Sequence, residues 1–264
     1  MKKIIFALLS FCLLTTAVYS QKDKKVENEK EKKENEKDDE KIYNKLINLH
    51  TLDKHEQCIE TSDKYIKGEK TARSPYPYLY ASMSYLAIHN DRDNYDVKKF
   101  RDPLRKAISY MGKFKKKDKG GELQKENAEF LRDLKKSILQ ECAVKNERKD
   151  FKNLQNLGRD VAKNYDKDEA MLIISGVYLC YAEAKIDGER SIETGMNLLK
   201  KRMSEANTSF DNEQTDLLAQ GFIFYLDYLV EVKDEAKSKT VMAFAKDLLP
   251  GNDKLNAYSA KTMK

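Results

Sequence analysis

The amino-acid sequence predicts an all-α protein in which helices follow one another in pairs. Apolar residues recur at three- and four-residue spacing along most of the chain, which is typical of amphipathic helices. Short polar stretches separate about five pairs of such segments between residues 42 and 264. Alternating apolar and polar runs framed by hairpin turns do not occur, so no sheet is expected. We predict that the pairs stack as an α-α superhelix, or solenoid, of about five helical hairpins.

The stretch from Met1 to Ser20 has the pattern of a secretory signal peptide. Two lysines precede an apolar stretch, and small residues lead to Ser20. We expect cleavage between Ser20 and Gln21, which would make the mature protein periplasmic or secreted. A lipoprotein alternative would use Cys12, but Phe11 stands where that signal requires a small residue.

A strongly charged segment, residues 21–41, follows the leader. From Lys22 to Lys41 every side chain is charged except those of Val26, Asn28 and Asn35, and Val26 is the only apolar one. Such a segment cannot bury enough surface to offset its ordering entropy. We therefore predict a disordered or extended-helix linker over residues 21–41 and assign residues 42–264 to the helical-repeat domain.

The first two hairpins are predicted between Ile42 and Met111. In the first hairpin the turn follows Asp53, and the second helix ends at Gly68. The second hairpin has an unusually long polar turn, and its second helix is expected to start or kink at Pro103, because proline cannot continue a helix.

Hairpins three and four are predicted over residues 122–165 and from Asp168 onwards. Leu123 to Cys142 form one continuous helix in this prediction. In hairpin four, Asp187 and Gly188 are predicted to form the turn, and Gly176 is predicted to let a neighbouring helix approach closely.

The fifth hairpin, Asp211 to Asn252, turns near Lys233 and stops at Pro250 and Gly251. Three aromatic residues of its first helix are expected to pack against hairpin four: Phe222, Phe224 and Tyr228. Leu255, Ala257 and Tyr258 are expected to form a short cap on this last unit.

This fifth hairpin resembles a tetratricopeptide (TPR) repeat. The TPR pattern, which repeats at a fixed period, places large residues on the first helix, small ones on the second, and a closing proline. The matching residues are Phe222, Tyr225, Leu226 and Leu229 on the first helix, and Ser238, Met242, Ala245 and Pro250 on the second. Leu226 stands where the family prefers glycine, which predicts a wider separation of the two helices. The second-best match is carried by Tyr78, Ala81, Ser82 and Tyr85.

The resemblance implies a binding protein. First helices of TPR-like arrays line a concave face, so tyrosines on first helices are the expected partner contacts: Tyr78, Tyr85, Tyr178, Tyr181 and Tyr225. We predict an exported adaptor or scaffold that binds a protein or peptide in a cell-envelope assembly. The alternative is an exported carbohydrate or small-ligand binding protein whose aromatic rings line an enclosed pocket.

The densest basic cluster precedes Gly120 and Gly121 and consists of Lys113, Lys115, Lys116, Lys117 and Lys119. These lysines suit a solvated helix end, where the helix dipole favours positive charge. A contact with an acidic partner or an anionic envelope surface is the sharper interpretation. Without the leader, 48 basic residues face 44 acidic ones, so the net charge of about +4 is too mild to predict a nucleic-acid partner.

No catalytic, metal or cofactor site is predicted, and we do not expect an enzyme. The three histidines all precede residue 90, far from most candidate nucleophiles, and no glycine-rich phosphate loop is present. His50 and His55 flank Asp53, but residues five apart do not share a helix face, so they are not predicted to bind a metal.

Neither a membrane span nor a disulfide framework is expected in the mature chain. The longest apolar run, Ala170 to Ala182, is shorter than the roughly 20 residues that a spanning helix needs. Cys58, Cys142 and Cys180 are widely spaced. They leave room for one bridge whose partners the sequence does not identify.

Overall fold

The computed structural model describes residues 37–96, 98–205 and 209–262, and the regular structure in these ranges is entirely helical. The prediction of an all-α protein is therefore confirmed. The predicted signal peptide and most of the predicted linker lie outside the described residues. The helices are α1 (37–51), α2 (His55–Lys67), α3 (Tyr76–Asn90), α4 (Pro103–Lys117), α5 (Glu122–Glu126), α6 (Ala128–Glu147), α7 (Phe151–Asn164), α8 (Glu169–Tyr181), α9 (Lys185–Met203), α10 (Asn212–Glu231), α11 (Glu235–Leu248) and α12 (Asp253–Thr262).

The chain divides into two compact units, and the boundary between Ala81 and Ser82 falls inside α3. In the first unit, α1 and α2 bury Leu46 and Cys58 completely. The Cys58 thiol donates to the carbonyl oxygen of Leu46 at 3.7 Å. This contact joins the two helices of the first hairpin through the backbone of α1.

Four of the hairpins share one turn geometry. Each turn contains a non-glycine residue with φ between 54° and 64°, in the left-handed region: Asp53, Lys149, Glu183 or Lys233. In the α8–α9 turn, the Glu183 amide donates to the carbonyl of Cys180 at 3.1 Å, and the Ala184 amide donates to that of Leu179 at 2.9 Å. The other three turns repeat this pair of hydrogen bonds, which is the Schellman ending of a helix.

The same buried positions recur around these turns. Counted from the left-handed residue, the seventh residue before it and the fifth residue after it are buried in all four hairpins. These pairs are Leu46 and Cys58, Cys142 and Leu154, Gly176 and Gly188, and Leu226 and Ser238. The hairpins are therefore structural repeats in register, although the second position is a different residue in each and the first is leucine in only two of them.

Helix α8 lies at the centre of the second unit and packs against α6, α7, α9 and α10. Its contact with α9 depends on glycine. A Cβ added at Gly188 would lie 2.5 Å from the carbonyl oxygen of Gly176, and one added at Gly176 would lie 2.7 Å from that of Gly188. A side chain at either position would force the two helices apart, so the predicted close approach at Gly176 is confirmed.

A second surface of this unit is held by charged pairs between α4, α7 and α9, and we call it the Arg–Asp face. Arg105 of α4 pairs with Asp160 of α7, and Arg159 of α7 donates to Asp187 of α9 at 2.7 Å. The second helices of consecutive hairpins are thus connected by the same type of ion pair.

Two boundary predictions are wrong. The α8–α9 turn is centred on Glu183, and Gly188 lies inside α9, where its missing side chain serves the contact with Gly176. Leu123 to Cys142 do not form one helix, because Asn127 ends α5 and its side-chain amide donates to the carbonyl of Leu123 at 2.8 Å. Residues 37–41, at the end of the predicted disordered or extended-helix linker, are helical and form the start of α1.

The remaining elements follow the sequence closely. Pro103 begins α4, Asp168 caps α8 and Asp211 caps α10 by accepting hydrogen bonds from backbone amides. Gly251 adopts φ 78° after α11, and α12 buries Leu255 as the expected cap. Among the described residues, no helix is both long and apolar enough to cross a membrane.

The three cysteines are buried thiols that do not pair with one another. Cys142 is 1% exposed, and burial raises its pKa to about 12. Burial also raises the pKa of Cys180. These residues therefore act as small apolar side chains of the core.

Candidate functional site

A groove crosses the second unit between α6 and α10, with α8 as part of its floor, and we call it the α6–α10 groove. It has two halves that share Leu139, Gln140 and Gln220. The apolar half has a volume of about 380 Å³ and the polar half about 620 Å³. Helices α6, α8 and α10 are the first helices of hairpins three, four and five, so one class of helix builds this surface.

Two aromatic rings line the apolar half, those of Tyr178 and Phe224, and two more extend the cluster beside it. Phe224 of α10 lies 4.7 Å from the ring of Tyr178 and 5.7 Å from that of Tyr181, measured between centroids. Tyr228 meets Tyr181 edge-on at 5.3 Å. All four rings are only partly buried. Rings at these distances are stabilised beyond their buried area, and their remaining exposure leaves an apolar surface for a ligand.

The phenols of this cluster are neutral at physiological pH. Burial raises the pKa of Tyr178 to about 12, and it also raises that of Tyr181, where Glu231 and Asp227 add to the effect. A neutral phenol can both donate and accept a hydrogen bond. The apolar half therefore combines aromatic area with a few polar contacts.

The polar half contains more cations than carboxylates. Its charged lining residues are Arg132, Lys135, Lys136 and Lys254 against Glu213 and Asp216. Arg132 lies 3.7 Å from Glu213 across the groove, and Lys254 of α12 lies 2.9 Å from Asp216. Lys135 reaches out of the groove to Asp168 at 2.7 Å. Lys136 is exposed and has no ion-pair partner within the described ranges.

The predicted tyrosines do not gather at one site. Tyr178 and Tyr181 lie together beside Phe224, whereas Tyr225 is 3% exposed and belongs to the core. Tyr78, in the first unit, is 7% exposed and donates to the carbonyl of Ala72 at 3.1 Å. Tyr85 is half-buried and stacks on Tyr110 with 5.6 Å between ring centroids. Of the five predicted residues, Tyr178 lines the groove and Tyr181 adjoins it through the Phe224 ring.

The lysine cluster at the end of α4 does not form one uniform surface. Lys113, Lys116 and Lys119 are exposed, but Lys115 is half-buried with its Nζ 4.5 Å from the centroid of the Tyr165 ring. Burial lowers the pKa of Lys115. The Nζ of Lys113 lies over the Tyr110 ring at 5.2 Å. Lys115 to Lys117 occupy the last helical turn, where positive charge is favourable.

His50 and His55 are closer in space than their spacing indicated. Their ring centroids are 5.1 Å apart, because the turn at Asp53 folds α2 back beside α1. Burial, with a smaller contribution from His55, lowers the pKa of His50. Within the described ranges, no three histidine, cysteine or carboxylate side chains are placed to hold a metal ion.

The sequence did not identify most residues of the groove. Phe224 and Tyr228 were correctly expected to pack against hairpin four, but their partial exposure depends on the tilt of α10 over α8. Leu139, Gln140 and Gln220 carry no motif and become related only when α6 and α10 face each other. The signal that the sequence did offer was the position of each residue around its first helix, which indicates the face of the helix on which the residue lies.

Comparison with known proteins found no matching family model, no similar curated protein and no similar solved structure.

Proposed function

We propose that this chain is an exported, divergent TPR-like protein that acts as an adaptor or scaffold and binds a protein or peptide along the α6–α10 groove. The observation that carries the proposal is the continuous groove between the first helices α6 and α10, with the partly exposed rings of Tyr178 and Phe224 in one half and those of Tyr181 and Tyr228 beside them. In this proposal the protein works in a cell-envelope assembly and has no catalytic activity of its own.

The turn geometry shared by four hairpins supports the TPR-like part of the proposal. Lys149 and Glu183 occupy equivalent positions in consecutive hairpins, one TPR period apart. In two hairpins the recurring buried pair is a direct contact between the two helices, Cys58 with the Leu46 carbonyl and Gly176 with Gly188. Gly176 and Gly188, with their close backbone contact, supply the small residues that the family pattern requires there.

The form of the groove favours a protein segment over a sugar. The four rings pack against one another, tilted, stacked or edge-on, so that neighbouring rings cover part of the faces on which a sugar ring would stack. Mixed aromatic, apolar and charged linings are typical of protein-binding surfaces, where a few aromatic anchors provide most of the binding energy. The glutamine side chains at the centre can hydrogen-bond a peptide backbone.

The test is photo-crosslinking in the cells that export the protein. A benzophenone amino acid at position 223, within the apolar half, should capture one reproducible partner. The same group at position 194, on exposed Thr194 of α9, should not capture it. The captured partner, purified, should bind the wild-type chain and lose most of its affinity for a Phe224→Ala variant.

Two results would reject the proposal. Capture at position 194 as strong as at position 223 would place the interaction outside the groove. Intact-mass analysis provides the second test, because an exported chain should begin at Gln21. A chain that retains the predicted signal peptide and stays in the cytoplasm would contradict the envelope assignment.

A further inference from the structure

The polarity of the α6–α10 groove indicates the chemistry of its occupant. We infer that the groove binds an extended peptide segment that carries an apolar or aromatic side chain at one end and a pair of carboxylates at the other. This inference rests on the proposed function and adds the sequence character of the partner.

The two halves of the groove differ in kind along the same pair of helices. Leu139, Ala143, Ile223 and Phe224 contribute apolar area to one half. In the other half, four cations face two carboxylates, and the carboxylates are already engaged by Arg132 and Lys254. Lys135 is paired with Asp168 outside the groove, so Lys136 is the remaining positive charge, and an occupant with negative charge at this end is complementary.

Lys136 is the cation best placed to meet that charge. It is exposed on α6, lines the groove and has no ion-pair partner in the described part of the chain. Lys135 is tied to Asp168, the residue that caps α8, so it serves the fold. Lys136 can turn towards a ligand without breaking a contact.

The length of the segment follows from the helix geometry. Lys136 and Ala143 are seven residues apart on α6, which corresponds to about 10 Å at 1.5 Å per residue. An extended chain covers that distance in about three residues at roughly 3.3 Å each. The carboxylates and the apolar side chain of the ligand should therefore be separated by about three residues.

Two glutamines lie at the centre, where the backbone of such a segment would pass. Gln140 of α6 and Gln220 of α10 are exposed and line both halves. Each amide can accept from a peptide N–H and donate to a peptide carbonyl. These contacts suit any sequence between the two ends, so specificity comes from the ends.

The inference is tested with short fluorescein-labelled peptides and the purified mature chain. One peptide carries phenylalanine and a pair of aspartates with two glycine or serine residues between them, so that they are three residue steps apart, with blocked termini, in both chain directions. A matched peptide has lysines in place of the aspartates. Fluorescence anisotropy should show the acidic peptide binding at least roughly tenfold more tightly in one direction, with the preference decreasing as salt rises.

Charge-reversal variants locate the contact. Lys136→Glu should weaken binding of the acidic peptide roughly fivefold and improve binding of the basic one. Lys106→Glu makes the same charge change on an exposed lysine of α4 outside the groove, and it should change neither affinity. Circular dichroism and thermal melting of both variants should match the wild type, because neither lysine is buried.

The outcomes separate this inference from the proposed function. Equal affinity for the acidic and basic peptides, tighter binding of the basic peptide, or equal effects of the two lysine variants would overturn the charge assignment. The adaptor proposal would survive any of these results if crosslinking at position 223 still captures a partner. If no peptide binds and no partner is captured, both fail.

Discussion

The α6–α10 groove and the Arg–Asp face are built by the same hairpins in different ways. Half-buried rings from α8 and α10 meet in the groove, whereas α4, α7 and α9 are joined by Arg–Asp pairs. Side chains of the Arg159–Asp187 pair are 49% and 36% exposed, so water and salt screen their attraction. Water and salt weaken the contacts between aromatic rings less than they weaken exposed ion pairs. We expect the groove to be both the more stabilising surface and the one with recognition capacity.

The largest effect should come from breaking the glycine contact that holds the two surfaces together. Gly188→Val would place side-chain atoms against the carbonyl oxygen of Gly176, because even a Cβ would lie 2.5 Å from it. We expect the free energy of unfolding to fall by about 2–4 kcal/mol. Urea denaturation followed by circular dichroism measures this change.

A matched control for this variant is Gly120→Ala. A Cβ at Gly120 would meet only the Glu122 side chain, at 3.8 Å, so its effect on unfolding should stay within about 0.5 kcal/mol. Equal destabilisation by the two variants would show that the α8–α9 contact is less tight than described.

On the groove side, Phe224→Ala should cost about 1–2 kcal/mol of unfolding free energy. The substitution removes ring contacts with both Tyr178 and Tyr181, but Phe224 is only partly buried. Ile186→Ala, at an apolar residue that is 74% exposed, should change stability little. If Phe224→Ala changes the free energy of unfolding as little as this control, the rings contribute to ligand binding and not to stability.

The Arg–Asp face should show a smaller and salt-dependent effect. A double-mutant cycle with Arg159→Ala and Asp187→Ala should give a coupling energy below about 1 kcal/mol, since exposed pairs are screened. The coupling should decrease further in high salt. A coupling above that of the Phe224–Tyr181 pair would reverse the ranking of the two surfaces.

The smallest expected effect is on the pH dependence of stability. The phenols of the groove do not titrate near neutral pH, whereas His89 does, so the two kinds of side chain can be told apart by their effect on the free energy of unfolding. Burial lowers the pKa of His89 from 6.5, with Arg92 and Lys145 in the same direction and Glu141 opposed. Below about pH 6.5 the unfolded chain therefore binds more protons than the folded one, so stability falls as the pH falls.

His89→Gln should flatten the dependence of unfolding free energy on pH between about pH 7.5 and about pH 5.5. Tyr178→Phe, which removes a phenol that titrates only near pH 12, should leave the slope in that window unchanged. Parallel pH profiles for the wild type and His89→Gln would mean that His89 is protonated equally in both states.

The sequence predicted the order and type of the helices because their ends carry local chemistry. Asp168, Asp211 and Pro103 mark helix starts through their own side chains, and each lies at the predicted place. Gly188 misled the prediction because Asp-Gly is a common turn pair, whereas here the tertiary contact with Gly176 determines its role. Local patterns do not show which helix comes to lie against a glycine.

The groove could be predicted only in part for the same reason. Tyr178 and Tyr181 were chosen as first-helix tyrosines, but the same criterion selected Tyr78 and Tyr225, which are buried. Exposure of a ring on a mainly apolar helix depends on the neighbouring helices that cover it. Nothing in the sequence marked Lys136 as a candidate contact, because its proposed role depends on the neighbouring charges being paired with one another.

The shared turn geometry makes the length of the folded chain adjustable in whole units. Buried positions lie at constant distances from each left-handed residue, so duplicating the stretch between Lys149 and Glu183 would add a unit whose buried positions keep the same register. The recognition surface grows or shrinks with the first helix of each such unit. A chain of this design can change the length of the ligand it accommodates by gene-segment duplication, without new core packing having to evolve.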